Sequence, residues 1–206
     1  DPITPASIGA APGGFGLGSE HESYIADFNA CIKNGWYRAY GNSLNCPVIG
    51  GWGARYGALL VSTRESAIYH VYYVNRYSVM YTLERYSEDG GTTWAEWEYV
   101  NPPMEPGVEY RTTERYLNKP VYIKVVDCGN VPAVGSSKRI IVDPNANIIS
   151  VSALSTMRGV GIPYFDKNGV KYGINFSEND LIFSNYSETD NTTNALAIVK
   201  YLKTTQ

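Results

Sequence analysis

Apolar positions along the chain follow two rhythms. Between residues 20 and 33 they recur at Tyr24, Ile25, Phe28, Cys31 and Ile32, the spacing of one buried helical face. Ser19 and Glu22 stand ahead of them in an S-x-x-E arrangement, where each side chain serves a free backbone N–H at a helix start. Gly35, after Lys33 and Asn34, supplies a stop. The pattern predicts one short N-terminal helix over roughly residues 20–33.

From residue 56 onward the rhythm becomes that of strands. Tyr56–Thr63, Ile68–Val74 and Ser78–Tyr86 are rich in Val, Ile, Tyr and Thr and are separated by turn residues. Glu88-Asp89-Gly90-Gly91 makes a turn before a further strand, Trp94–Val100. On that strand Trp94 and Trp97, three apart, face opposite sides, one towards the core and one on the shoulder of the sheet. The run Asn101-Pro102-Pro103-Met104-Glu105-Pro106-Gly107 then interrupts the series, because proline removes ladder donors and fixes an extended path.

Beyond it come Val108–Thr113, Pro120–Val126, Lys138–Val142, Ile148–Leu154, Met157–Ile162, Val170–Ile174, Leu181–Ser184 and Ala195–Leu202. Asp166-Lys167-Asn168-Gly169 reads as a tight hairpin, since Asn-Gly tolerates positive φ. The last strand is apolar on both faces and should lie centrally or against a partner chain. Short strands with no helical pattern between them imply an antiparallel sandwich rather than βαβ units. The expected architecture is mainly β. Residues 1–18, rich in proline and glycine, form a linker or stalk end. Residues 19–101 hold the helix and a small antiparallel β domain, and residues 102–206 an antiparallel β-sandwich.

Composition narrows the function. Seventeen Lys and Arg against 20 Asp and Glu give a net charge of −3. That balance leaves no basic footprint for nucleic acid and no polybasic stretch for anionic lipid. No apolar run approaches the roughly 18 residues of a membrane helix. The three cysteines, Cys31, Cys46 and Cys128, form no C-x-x-C pair, and an odd, sparse set fits folding in a reducing cytoplasm. The chain opens on Asp1, as a fragment or processed chain does, and shows no signal peptide. The 18 tyrosines are distinctive. Tyrosine is rigid and amphipathic and suits adhesive surfaces, although strand propensity accounts for it equally well.

Reactive chemistry is sparse. There is no G-x-S-x-G elbow, phosphate loop or H-E-x-x-H. Of two histidines, His21 falls in the first turn of the expected helix, and His70 sits mid-strand among Tyr69, Val71 and Tyr72 as a packed or hydrogen-bonded residue. Neither zinc nor any other cofactor is implied. Glu84, Glu88, Asp89, Glu96 and Glu98 could supply the acid pair of a glycoside hydrolase, but turns and solvated strand faces explain them as well. The residues favour a binding module over an enzyme.

Three stretches resemble bacteriophage tail fibres and receptor-binding proteins. Residues 3–18, with Ser-Ile-Gly-Ala-Ala-Pro and then Gly-Phe-Gly-Leu-Gly, look like a shaft-to-tip junction. Asp27-Phe28-Asn29 to Gly35-Trp36-Tyr37, then Asn45-Cys46-Pro47, is similar to the opening of the pyocin-knob module, whose close is matched by Asp89-Gly90, Trp94 and Trp97. Residues 107–132, with Glu114-Arg115-Tyr116, Lys119-Pro120-Val121-Tyr122 and Asp127-Cys128-Gly129, resemble a C-terminal tail-fibre domain, as does the terminal Val199–Thr205. Cys128 and Leu117-Asn118 depart from that pattern, the latter standing where Asp-Gly is usual. The resemblance implies a knob module followed by a receptor-binding β-sandwich in a homotrimeric fibre tip. Such a tip belongs to a virion assembled in the host cytoplasm and attaches to a bacterial surface glycan or surface protein. A structural spacer and a polysaccharide depolymerase are the alternatives. For the contact itself, aromatics beside turn residues suit a sugar, which offers an apolar ring face and a rim of hydroxyls. Trp52 with Arg55 and Tyr56, Tyr164 with Asp166 and Asn168, and Asn185 with Tyr186 are the candidates.

Overall fold

The computed structural model describes residues 24–40, 43–49, 52–53, 56–76, 78–155, 161–162, 164–166, 169–186 and 194–204. The chain divides into two compact units, Asp1–Pro103 and Met104–Gln206.

The first unit corrects the helix expectation. Ser19 and Glu22 lie outside the described residues. Within 24–33 the only helical element is one 3-10 turn, Phe28–Ala30, with Asp27 as its N-cap. Ile25 N–H donates to Arg38 O, Phe28 N–H to Leu44 O, and Leu44 N–H to Ala26 O. The backbone therefore finds its partners in neighbouring segments. Asp27 reinforces this, its Oδ1 accepting from Asn29 N at 2.9 Å and from Asn45 Nδ2 at 2.7 Å. Short polar side chains compete in this way with a continuing helix. Ile25, Phe28 and Cys31 still reach the core, while Tyr24 and Ile32 are exposed.

Strand β1 (Gly35–Tyr40) leads through the two-residue strands β2 (Val48–Ile49) and β3 (Trp52–Gly53) into β4 (Tyr56–Arg64), β5 (Ala67–Arg76), β6 (Val79–Ser87) and β7 (Glu98–Tyr99). β1, β4, β5, β6 and β7 pair antiparallel in that order, and β2 pairs with β3. Alternation decides the faces. Leu59 and Val61 on β4, Ile68, His70, Tyr72 and Val74 on β5, and Leu83 and Arg85 on β6 are buried. Trp36, Tyr69, Tyr86 and Tyr56 project from the other face and are exposed. β1 is an element that no sequence signal above marked. The expected strand Trp94–Val100 shrinks to Glu98–Tyr99, with residues 94–97 irregular.

In the second unit the strands are β8 (Glu109–Tyr116), β9 (Lys119–Asn130), β10 (Ser137–Ile141), β11 (Ala146–Ser155), β12 (Gly161–Ile162), β13 (Tyr164–Asp166), β14 (Gly169–Ser177), β15 (Asp180–Asn185) and β16 (Asn194–Lys203). One antiparallel sheet runs β8-β9-β16-β11-β12 and the other β10-β15-β14-β13. A single core joins them, with Tyr122, Val126, Cys128, Val199 and Tyr201 from the first sheet and Leu181 and Phe183 from the second. β16 lies centrally between β9 and β11, and Ala195, Ala197, Val199 and Tyr201 on its inner face are fully buried. β13 and β14 pair with Asp166 opposite Gly169, the register of a two-residue hairpin. Of the expected strand Met157–Ile162 only Gly161–Ile162 is described, as β12. The β8–β9 turn is built from Leu117 and Asn118 at φ 51° and 63°. Both central residues are left-handed, the geometry that favours Asn-Gly or Asp-Gly.

Candidate functional site

The inner face of the first unit gathers its polar chemistry around a buried cation. Arg85 is 7% exposed and lies between two indoles, its guanidinium carbon 4.3 Å from the Trp94 ring centroid and 4.5 Å from that of Trp97. Trp94 and Trp97 thus face the same residue, contrary to the opposite-sided placement expected of a strand. The physical reason is the irregular backbone of 94–97, which frees the pair from a two-residue period. Arg85 Nε donates to His70 Nδ1 at 3.3 Å, and His70 Nε2 donates to Cys31 O at 2.7 Å. Those two bonds together specify neutral His70 with its proton on Nε2. Burial pushes the imidazole down to about 4, countered by the Cys31 carbonyl and reinforced by Arg85. Burial also lowers Arg85, to about 10, against the pull of Asp27, Cys31 and Cys46, so it stays cationic at neutral pH.

The loop that brings Trp94 here is self-clamped. Asp89 accepts hydrogen bonds from Ser87 Oγ at 2.8 Å, Thr93 N and Thr93 Oγ1 at 2.7 Å. Gly91 N–H donates to Ser87 Oγ, and Trp94 Nε1 to Gly91 O. Gly91 is left-handed at φ 90°, and a Cβ there would lie 2.9 Å from the Ile32 side chain. The hydrogen bonds from Thr93, then Ser87, hold the Asp89 carboxyl down at about 2. It is therefore an ionised clamp and is unsuited to donate a proton near neutral pH. Among the described residues no three His, Cys, Asp or Glu side chains gather as metal ligands would, and no helix is long and apolar enough to cross a membrane.

The outer face offers a recess. Tyr24, Arg38, Ala39, Tyr56 and Gly57 line a cleft of ≈ 300 Å³ where β1 and β4 run side by side. Ala39 and Gly57 are a cross-strand pair in step with the buried Leu59 and Val61, so their side-chain positions point into the core and what they offer the recess is backbone. Gly57 is obligatory there, because a Cβ would meet Tyr73 O and come within 2.6 Å of Tyr72 Oη. Tyr24 and Tyr56 are 50% and 61% exposed. Arg38 holds its guanidinium 5.4 Å from the Tyr24 ring centroid. Farther along the same face, Trp36 lies beside Tyr73 with centroids 5.9 Å apart. In the second unit a smaller recess of ≈ 210 Å³ is lined by Lys119, Pro120, Tyr122, Lys203 and Thr204. There Lys203 is already engaged by Glu109 at 2.6 Å.

The residues singled out from sequence are distributed as follows. Tyr56 opens β4 and lines the cleft. Trp52 lies in β3, its backbone opposite Ile49, while Arg55 falls outside the described residues. Tyr164 and Asp166 are placed on β13 by their backbones, and Asn168 is outside the description. Asn185 is 1% exposed and donates through Nδ2 to Pro132 O at 2.8 Å, tying down the loop before β10. Tyr186 is exposed. Tyr24 and Arg38 were missed. The helix pattern turned Tyr24 inwards, and the alternation in Gly35-Trp36-Tyr37-Arg38-Ala39-Tyr40, which marks a strand, went unused.

No family model matches the chain, and no curated protein matches it. Three solved structures align over 91% of it, each with a TM-score of 0.31. They are an N-truncated R2-type pyocin tail fibre (13% identity, 99% of that chain) and C-terminal pieces of the P. aeruginosa R1 and R2 pyocin fibres (13% and 12% identity, 68% of each). The chain is similar to these fibres at a level too low to transfer a fold or a function.

Proposed function

We propose that the chain is a non-enzymatic attachment module of a phage-type tail fibre, and that it holds a bacterial surface glycan. In this reading the first unit is the knob and the second a β-sandwich, assembled as a homotrimer in the virion. The observation that carries it is the cleft of the first unit. Two half-exposed tyrosine rings and a guanidinium line a recess in which Ala39 and Gly57 present backbone. Rings take the apolar face of a sugar, and tyrosine hydroxyls and guanidinium N–H groups meet its rim. The Trp36–Tyr73 pair extends the aromatic surface along the same face. The inner-face aromatics are occupied by Arg85 and hold the unit together.

Binding of the purified chain to arrayed bacterial glycans and to intact cells tests the reading. Wild type should bind, and Tyr56→Ala should weaken binding at least about tenfold, as loss of an aromatic anchor does. A chain that binds nothing, or binds equally well without Tyr56, refutes it and favours the spacer. Light scattering should give three copies per particle.

A further inference from the structure

We infer that the glycan taken by this cleft is acidic, its anionic group held by Arg38 while Tyr24 and Tyr56 take the sugar ring; the inference rests on the attachment reading above. The guanidinium is disposed for that task. Its contact with Tyr24 is through the ring face, 5.4 Å from guanidinium carbon to centroid, and the planar guanidinium presents its N–H donors as a fork. Among the described residues no carboxylate pairs with it. The fork geometry of those donors matches a carboxylate or a phosphate in a two-point contact. The segment carrying Tyr24 is fastened to β1 beside it, since Ile25 N–H donates to Arg38 O at 2.9 Å. Ring and cation are thus positioned by the same strand.

The surroundings make this cation decisive. The chain carries a net charge of −3, so an acidic polymer gains nothing from the protein's overall field. Attraction must come from the cleft. Its volume, ≈ 300 Å³, stands at the small end of ligand sites. The determinant it accepts is therefore short, a terminal or branch sugar carrying the charge. With Ala39 and Gly57 turned inward, such a group meets the backbone of β1 and β4 between Arg38 and Tyr56.

The test uses the full chain on an array of bacterial capsular and lipopolysaccharide glycans, acidic and neutral. Hits are measured again after carboxyl reduction, which turns carboxylate into alcohol, and after removal of phosphate with hydrogen fluoride. Hits should concentrate among acidic glycans, and one of the two treatments should lower affinity at least about tenfold, identifying the anion. Arg38→Gln should lose about the same factor on the untreated glycan and lose nothing further on the neutralised one, as a double-mutant cycle requires of a direct pair. Arg38→Lys should keep the charge but recover only part of the affinity. Trp emission of each variant checks that the first unit remains folded. Neutral hits that depend on Tyr56, or Arg38→Gln binding as well as wild type, overturn the acidic assignment and leave the attachment reading standing. Absence of any Tyr56-dependent glycan hit removes both.

Discussion

Arg85 is a cation buried between two indoles, and replacing it with methionine and with alanine should have very different consequences. Two desolvated cation–π contacts contribute about 2 kcal/mol each, and the hydrogen bond to His70 adds about 1 kcal/mol. Against them stands the transfer of an ion out of water, several kcal/mol. Nη2, buried with no hydrogen-bond partner, costs about 1–3 kcal/mol more. These opposed effects leave the charge near neutral in its net contribution. What remains is shape, an extended side chain filling the slot between Trp94 and Trp97. Methionine fills it, so Arg85→Met should destabilise the first unit by less than about 1.5 kcal/mol. Arg85→Ala empties the slot and should cost about 2–5 kcal/mol.

Urea unfolding followed by tryptophan emission reads this cleanly, because Trp36, Trp52, Trp94 and Trp97 all lie in the first unit. The midpoint for Arg85→Met should stay near wild type while that for Arg85→Ala falls well below it. If methionine costs as much as alanine, the charge is strongly stabilising and the balance above is wrong.

Other consequences are as direct. His70 titrates at about 4 folded, against 6.5 for an ordinary imidazole. The unfolded chain therefore takes up its proton first, and up to about 3 kcal/mol of stability should be lost between pH 6.5 and 4. His70→Gln should flatten that part of the tryptophan-monitored stability profile, and an unchanged slope would exonerate His70. Gly57→Ala forces a methyl against Tyr73 O and Tyr72 Oη and should destabilise the first unit by about 1–3 kcal/mol in the same melt. Replacing Leu117-Asn118 by Asn-Gly should stabilise the second unit by about 1 kcal/mol, since a non-glycine left-handed residue carries a penalty of that order, with hydrogen exchange of the β8 and β9 amides as the readout. Cys31 and Cys128 are buried, with burial pushing both thiols up to about 11. Iodoacetamide should therefore label Cys46 long before either, and equal rates would contradict the packing.

The strands were legible wherever one face was buried and the other wet. β4, β5 and β6 coincide with Tyr56–Thr63, Ile68–Val74 and Ser78–Tyr86 to within two residues at each end, because a period of two survives only when alternate side chains enter a core. The helix failed for a related reason. Spacing at Ile25, Phe28 and Cys31 reports that these side chains reach the interior, and an irregular chain anchored to residues 38 and 44 can deliver them as well as a helix. Only the backbone partners distinguish the two, and those partners are distant in sequence. Trp94 and Trp97 were misplaced on the same ground, since their common direction is set by the clamped loop from Ser87 to Thr93.

Tyr56 could be singled out as an aromatic beside a turn, yet its companions Tyr24 and Arg38 come from segments 32 and 18 residues away, and nothing local joins them. Gly57, next to Tyr56, faces the core instead. Below it, the missing side chain admits the hydroxyl end of Tyr72, one of the largest fully buried residues of the unit. On the other side Gly57 presents only backbone to the recess. The absent side chain thus serves the core alone. It follows that core and binding surface can vary independently at this point of the sheet, since neighbouring side chains alternate between its faces. A side chain at Gly57 would displace Tyr72, and with it the Phe28 ring packed edge-on 5.1 Å away. Substitution at Gly57 should therefore cost stability, whereas loss of binding at Tyr56 or Arg38, both on the solvent side, should come alone.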